Sequence, residues 1–304
     1  MLYACQPKNH PENSLAAEHK APVVVVVNYP LEFIVESLVG PDVEVLNPVP
    51  PGADPETWFP DDAMIQTIQK ANLIVTNGAG FADWVKKLSL PRSKVLRTSL
   101  SLKEDLITVP DFEVHSHGAG AAHSHAGTVA FFWLDPTLMA RQADAIGKKL
   151  TQLFPQKKES ISANLKKLKK SLEPLDQKLD QLRINYAGLH WFSQRPVYQY
   201  LARHADWKVH HLHWKKNVKP NENTWVKLKT IQDQFKVPFM IWEQNPSETT
   251  VNDLIQHGVS SIVLDPLTTK PVQGNYLTEM KGQLDQLEKF LQKHSSTHSS
   301  SKKK

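Results

Sequence analysis

From residue 22 onward the chain alternates short, unbroken apolar runs with longer amphipathic ones. "PVVVVVNYPLEFIVESLVG" opens with a run of β-branched residues and passes through a turn into a helical pattern that ends at Gly40. A short apolar run bounded by turn residues reads as a buried strand, and the 3.6-residue recurrence that follows reads as a helix. "VEVLNPVPPGADPETWFPD" gives a short strand and a proline-punctuated loop, and "DDAMIQTIQKANLIVTNGAGFADWVKKL" gives a helix, a strand and a further helix. Strands alternating with helices predict a parallel sheet, and in such sheets ligands collect at the carboxyl ends of the strands. Asn28, Glu56 and Asn77 fall at those ends.

The rhythm changes from Pro136 to about Arg183, where no strand pattern occurs and one long helical stretch is interrupted near Pro155. Ile161, Leu165, Leu168, Leu172, Leu175, Leu179 and Leu182 recur at steps of four and three, which puts them on one helix face. Pro174 lies inside this pattern and predicts a kink or a seam. Strand and helix patterns then resume, with "RINYAGLHWF", "WKVHHLHW", "VPFMIWEQ" and "VSSIVLDP" as strands and "YLTEMKGQLDQLEKFLQKH" as the last helix. The expected fold is α/β: two Rossmann-like lobes with parallel sheets, joined by a long backbone helix in a clamshell outline. The boundaries are residues 1–21 as leader and linker, 22–135 as the first lobe, 136–183 as the linking helical segment, 184–293 as the second lobe, and 294–304 as a disordered tail.

Composition narrows the class. A formal charge of +5 against 31 acidic residues is a weak excess, far from the dense basic patch of a nucleic-acid binder, and part of it is the terminal "SSSKKK". No apolar run reaches the length of a membrane span. The single cysteine, Cys5, lies in "MLYAC" before a polar stretch, which is similar to a lipoprotein cleavage site and predicts lipidation of its thiol. There is no glycine-rich phosphate loop, no Gly-x-Ser-x-Gly elbow and no His-Glu-x-x-His helix, so enzyme classes built on those motifs fall away. Trp58, Trp84, Trp133, Trp191 and Trp242 read as core or cleft wall rather than as a sugar-stacking platform.

Two histidine groups stand out. "HSHGAGAAHSH", residues 115–125, holds four of the 14 histidines: His115, His117, His123 and His125. Dense histidines in a low-complexity setting bind metal, and alternate residues of an extended segment share a side. In "VHHLHW", residues 209–214, the histidines alternate in a strand beside tryptophans, and sheet packing is the expectation.

The order "NYPLEFIVESLVG", "PPGADPETWFPD", "ANLIVTNGAGFADWVKKL", a histidine-rich loop, "FFWLDP", "RPVYQYLARHADW" and "SIVLDP" resembles the zinc and manganese type of substrate-binding proteins of metal ABC transporters, an adhesin-like lipoprotein family. The resemblance covers roughly residues 22–292. It implies a periplasmic or otherwise extracytoplasmic, lipid-anchored monomer that captures zinc, or alternatively manganese, between two lobes and delivers it to a membrane permease, with no nucleic-acid partner and no catalysis.

The resemblance also implies a ligand set of three histidines and one carboxylate, and here this chain departs from it. Glu56 stands at the first histidine position, Phe131 at the second and Arg195 at the third, while Asp265 keeps the carboxylate. A guanidinium keeps its proton and offers no acceptor. A divalent ion about 4 Å from it meets repulsion of roughly 8 kcal/mol at an effective dielectric near 20. Two readings stay open. In one, the metal is captured by His115, His117, His123 and His125 and retained by Asp265 with Glu243 and Glu56, with Arg195 and Phe131 modifying the site. In the other, an ion pair between Arg195 and the carboxylates replaces the metal, and the protein binds a small anion or serves as an accessory.

Overall fold

The computed structural model of the 304-residue chain describes residues 21–115, 123–214, 218 and 220–300, with the backbone alone given at 111–115, 123–126 and 295–300. The first lobe is built from β1 (Val23–Val26), α1 (Tyr29–Val39), β2 (Glu44–Leu46), α2 (Asp62–Lys70), β3 (Leu73–Thr76) and β4 (Val95–Arg97). Its four strands run parallel in the order β2-β1-β3-β4, with Val24 paired to Val45 on one side and to Leu73 on the other. Val24 to Val27 are wholly buried, as a strand covered on both faces requires. Asn28 then caps α1, its side chain accepting from Leu31 N at 3.2 Å, and Pro30 fits the first turn, where no amide partner is needed.

An antiparallel hairpin follows, β5 (Thr108–His115) and β6 (His123–Thr128), and then α3 (Pro136–Leu153) and the long α4 (Lys158–Tyr186). The second lobe comprises β7 (His190–Ser193), α5 (Gln199–His204), β8 (Lys208–His211), α6 (Glu222–Phe235), β9 (Phe239–Trp242), α7 (Glu248–Gln256), β10 (Ser260–Val263) and α8 (Tyr276–Ser300). Its sheet is also parallel throughout, in the order β10-β9-β7-β8.

The spine of the molecule is α4. Ile161, Leu168, Leu172, Leu175, Leu179 and Leu182 are buried along one face, against α1, α3 and α8. Leu165, on the same face, lies so close to Gly147 of α3 that a Cβ there would sit 3.0 Å from its Cδ2. Pro174 sits on the exposed side of a helix that continues through it. One hydrophobic cluster runs from the β1 valines through α4 to Trp191, Tyr200 and Tyr276, so both lobes share a core. Hydrogen bonds cross the same seam: Trp133 Nε1 donates to Pro266 O at 2.6 Å, Tyr29 N to Thr268 O at 3.0 Å, and Tyr200 OH to Val129 O at 2.9 Å.

Three local expectations are corrected. "GFADWVKKL" forms only a 3-10 turn, Asp83–Lys87, because Ala82 is left-handed (φ 53°) at its start. "FFWL" is likewise a 3-10 turn, Phe132–Leu134, immediately before Asp135 caps α3 by accepting from Thr137 N and Leu138 N. "RINY" continues α4 to Tyr186 rather than opening a strand, since Leu179 and Leu182 extend its buried face, and Gly188 (φ 76°) makes the turn. The backbone of α8 runs to Ser300, past the expected boundary at 294, and His294 packs on Phe290 at 4.6 Å.

His204, at the end of α5, ties the spine to both flanks. Its Nδ1 lies 3.5 Å from Asp135, and its Nε2 lies 3.6 Å from both Asp176 and Asp180 of α4. Burial disfavours the imidazolium, but Asp135, then Asp176 and Asp180, outweigh it and raise the pKa above the usual 6.5. The unfolded chain therefore binds this proton less tightly than the folded one. The resulting stabilisation is complete below about pH 6.5 and fades as pH rises through the raised value. Denaturant titrations from about pH 6 to about pH 9 should show the wild type losing stability with rising pH. His204→Gln should be flat across that window and about 1–3 kcal/mol less stable at its acid end.

Candidate functional site

Two carboxylates and one guanidinium converge where the lobes face each other. Glu56 is presented by the loop after β2. There Asp54 accepts from Glu56 N at 3.0 Å, its carbonyl receives Thr57 N and Trp58 N, and Trp84 Nε1 clamps Pro55 O at 3.3 Å. Such an Asx turn is the local alternative to regular structure that a short aspartate side chain offers. Arg195 follows β7, its carbonyl held by Ser193 Oγ at 2.9 Å and by Val197 N at 2.9 Å. Glu243 follows β9, and Asp265 follows β10, accepting from Leu267 N at 2.7 Å. Arg195, Glu243 and Asp265 thus lie just beyond the carboxyl ends of parallel strands, while Glu56 is brought to them by the long loop that follows β2.

Arg195 is shared between the lobes. Its Nε and Nη2 donate to Glu243 at 2.7 Å each, and its Nη1 and Nη2 donate to Glu56 at 3.0 Å and 2.6 Å. Four of its five N–H donors are spent on two carboxylates. The guanidinium also stands 5.3 Å over the ring of Phe131, a wholly buried side chain that meets Trp133 at 5.0 Å. Burial works against the charge of Arg195, but Glu56 and Glu243 overcome it and hold its pKa above the usual arginine value. For Glu56 the balance runs the other way: burial raises its pKa by more than Arg195 lowers it. With one cation between two carboxylates, the cluster carries an excess of negative charge.

Asp265 lines a cavity of about 170 Å³ together with Arg195, Glu243 and Asp54. A larger cavity of about 750 Å³ is lined by Glu56, Phe131 and Arg195 and by Gly127 and Thr128 at the base of β6, so the histidine-bearing hairpin is rooted at the cleft. Among the described residues, no group of three or more His, Cys, Asp or Glu side chains has the spacing of a metal site. His115, His123 and His125 lie in the hairpin, described by backbone; His117 and Cys5 lie outside the described residues. Tyr198 was not singled out by the sequence. Its buried hydroxyl donates to Leu264 O at 2.7 Å, which fixes the approach to Asp265, and nothing in its spacing marks it apart from core.

The histidines of "VHHLHW" pack as expected. His210 Nε2 lies 2.9 Å from His190 Nδ1, and both rings stack on Phe235. Burial, then His190 and His211, push the pKa of His210 down to about 4. The folded state resists this proton, so the contribution is complete above about pH 6.5 and lost as pH falls toward 4.

This arrangement of two parallel sheets on a helical spine, with charged residues at facing strand ends, defines a two-lobed solute-binding protein. The chain belongs to the family described as ZnuA, zinc-uptake complex component A, periplasmic, whose model matches residues 24–290. It is 23% identical over 277 residues to the zinc-binding lipoprotein AdcA of Streptococcus pneumoniae, covering 87% of this chain and 54% of that protein. It is 26% identical over 279 residues to the high-affinity zinc uptake system protein ZnuA of Bacillus subtilis, covering 88% and 87%. The substrate-binding protein FpvC of Pseudomonas aeruginosa, solved in complex with Mn2+, superposes with a TM-score of 0.75 at 20% identity, covering 90% of this chain and all of that one. The chain thus spans about half the length of the streptococcal lipoprotein and most of the Bacillus protein.

Replacing Arg195 tests the cluster. Arg195→Met leaves Glu56 and Glu243 facing each other and should cost about 2 kcal/mol in urea titration, short of the ~3–5 kcal/mol of a fully buried pair. The shortfall follows from the 34% of its side chain that stays exposed. Adding Glu56→Gln should recover part of the loss. Acid titration should show His210→Phe holding its stability between about pH 6.5 and about pH 4, where the wild type declines.

Proposed function

We propose that the chain is the extracytoplasmic substrate-binding component of an ABC transporter, that its cargo is a divalent transition metal, zinc ahead of manganese, and that it delivers this cargo to a membrane permease. It acts as a monomer, held near the membrane by lipid on Cys5. The observation that carries this reading is the convergence of Glu56 from one lobe with Glu243 and Asp265 from the other, at the strand ends of a fold the family uses for periplasmic zinc uptake. The names of relatives agree with it: a zinc-binding lipoprotein and a high-affinity zinc uptake protein.

In the conformation described, Arg195 occupies the place a metal would take between Glu56 and Glu243, and its charge cannot be titrated away. Capture therefore falls to His115, His117, His123 and His125, with Asp265 lining the cavity behind Arg195 and with Glu56 and Glu243 engaged until that side chain moves. Phe131 contributes a ring to hold the guanidinium rather than a ligand to hold a metal.

The other reading, in which the cleft takes a small anion, is disfavoured by charge. Arg195 has one N–H left after its four contacts, and the two carboxylates outnumber it. Calorimetric titration of metal-stripped full chain should show zinc binding with one-to-one stoichiometry and more tightly than manganese, in keeping with the order of divalent affinities. Deleting residues 115–125 should weaken it at least about tenfold, or 1.4 kcal/mol. A wild-type chain that takes up neither metal would sink the assignment.

A further inference from the structure

A cavity of about 390 Å³ lies in the second lobe, back to back with the Arg195 cluster, and its size falls in the range of small-molecule sites. Buried Gln194, Trp214, Trp242 and Thr250 form its floor, and exposed Ser247 and Thr249 stand at its rim. Neighbouring residues of a strand point to opposite sides. In Gln194–Arg195, just beyond β7, and in Trp242–Glu243, at the end of β9, the second member joins the interlobe ion pair and the first lines this cavity.

The floor is chemically incomplete. Gln194 is 6% exposed and Trp242 is 2% exposed, yet Gln194 Oε1 and Trp242 Nε1 have no hydrogen-bond partner among the described residues. Trp214, by contrast, spends its Nε1 on Val218 O at 3.1 Å. A buried polar atom without a partner is costly, and folded proteins keep one where a ligand or a water completes it. Here an acceptor from one strand end and a donor from the next are both left open at the bottom of a single cavity.

The lining also selects the chemistry of what fills it. Among the described residues, no ionisable side chain lines the cavity. A carboxylate can only accept, so it leaves Gln194 Oε1 unmet, and it is repelled by Glu243 behind the wall and by Glu248 in the first turn of α7. An ammonium can only donate, so it leaves the indole N–H unmet. A hydroxyl does both at one atom, and the rim continues that chemistry, with Ser247 Oγ and Thr249 Oγ1 3.0 Å apart. The rings of Trp214 and Trp242 meet edge to face at 5.1 Å and are almost wholly buried, so they supply an apolar wall and one N–H rather than an open face for stacking.

We propose that this cavity is a second ligand site, for an uncharged polyol of about monosaccharide size. Gln194 accepts from one ligand hydroxyl and Trp242 donates to another, while the rim hydroxyls meet the outer end. The site goes beyond the metal reading and stands independently of it.

The test is saturation-transfer NMR titration of the full chain with D-glucose, D-sorbitol and myo-inositol. D-Gluconate and N-methyl-D-glucamine serve as the anionic and cationic counterparts of sorbitol. At least one uncharged probe should bind saturably, and at least about tenfold more tightly than either charged one. Gln194→Met keeps the bulk of the floor and removes its open acceptor; it should weaken the best probe at least about tenfold without lowering the melting midpoint of the free chain. Thr249→Gln, at the exposed rim, narrows the mouth without touching the floor and should weaken it as well. Three uncharged probes that all fail to bind, a charged counterpart that binds as tightly, or wild-type affinity in both variants overturns the site. Zinc titration of the same samples reports on the metal reading separately, so the failure of either leaves the other standing.

Discussion

A positive charge that cannot be discharged, set between two carboxylates from opposite lobes, is the interaction around which this molecule is organised. Arg195 brings Glu56 and Glu243 to within hydrogen-bond reach of a single planar group. The strand ends that would repel one another are thereby joined. A divalent ion would perform the same mechanical service, with twice the charge and a freely exchangeable bond. A guanidinium performs it permanently, because it is attached to the chain and keeps its proton at any pH the protein meets. Burial weakens the acidity of Glu56 by more than its guanidinium partner strengthens it.

What surrounds this interaction is rigid for ordinary reasons. Asp54 and Trp84 fix the loop that carries Glu56, Ser193 fixes the turn that carries Arg195, and Leu267 N fixes the carboxylate of Asp265. Behind them, the leucines of α4 and the tyrosine hydroxyls of the seam hold the sheets in one relation. The hairpin is the exception: it leaves this framework as two strands paired only with each other. A pair of strands standing alone is marginal in water, and a ligand that bridges them stabilises it directly.

Much of the fold was legible in the residues because its cause is local. The valine run of β1, the glycine stop of α1 and the seven-position apolar face of α4 each state their structure by spacing alone. Boundaries were less legible where two local tendencies competed. "RINY" is rich in strand-forming residues yet completes a helix, because the burial of Leu182 one turn earlier decides the matter. "FADWVKK" has helical spacing yet stops at a 3-10 turn, because the backbone enters it from a left-handed residue. In the site, the residue types announced a conflict between Arg195 and a metal, but its resolution required knowing which carboxylates lay within reach. The loop of Glu56 and the strand end of Glu243 are 187 positions apart in sequence and become neighbours only when both sheets are built.

The continuous core that threads both lobes bears on how the molecule comes apart. Where two halves of a chain own separate interiors, each can melt on its own schedule, and a denaturation curve shows two steps. Here the apolar cluster passes through α4 without a break, and Trp133 and Tyr276 lock onto backbone across the divide. Unfolding either half exposes part of this shared cluster, so the two halves are coupled, while the second lobe keeps an interior of its own around Phe192, Met240 and Trp242.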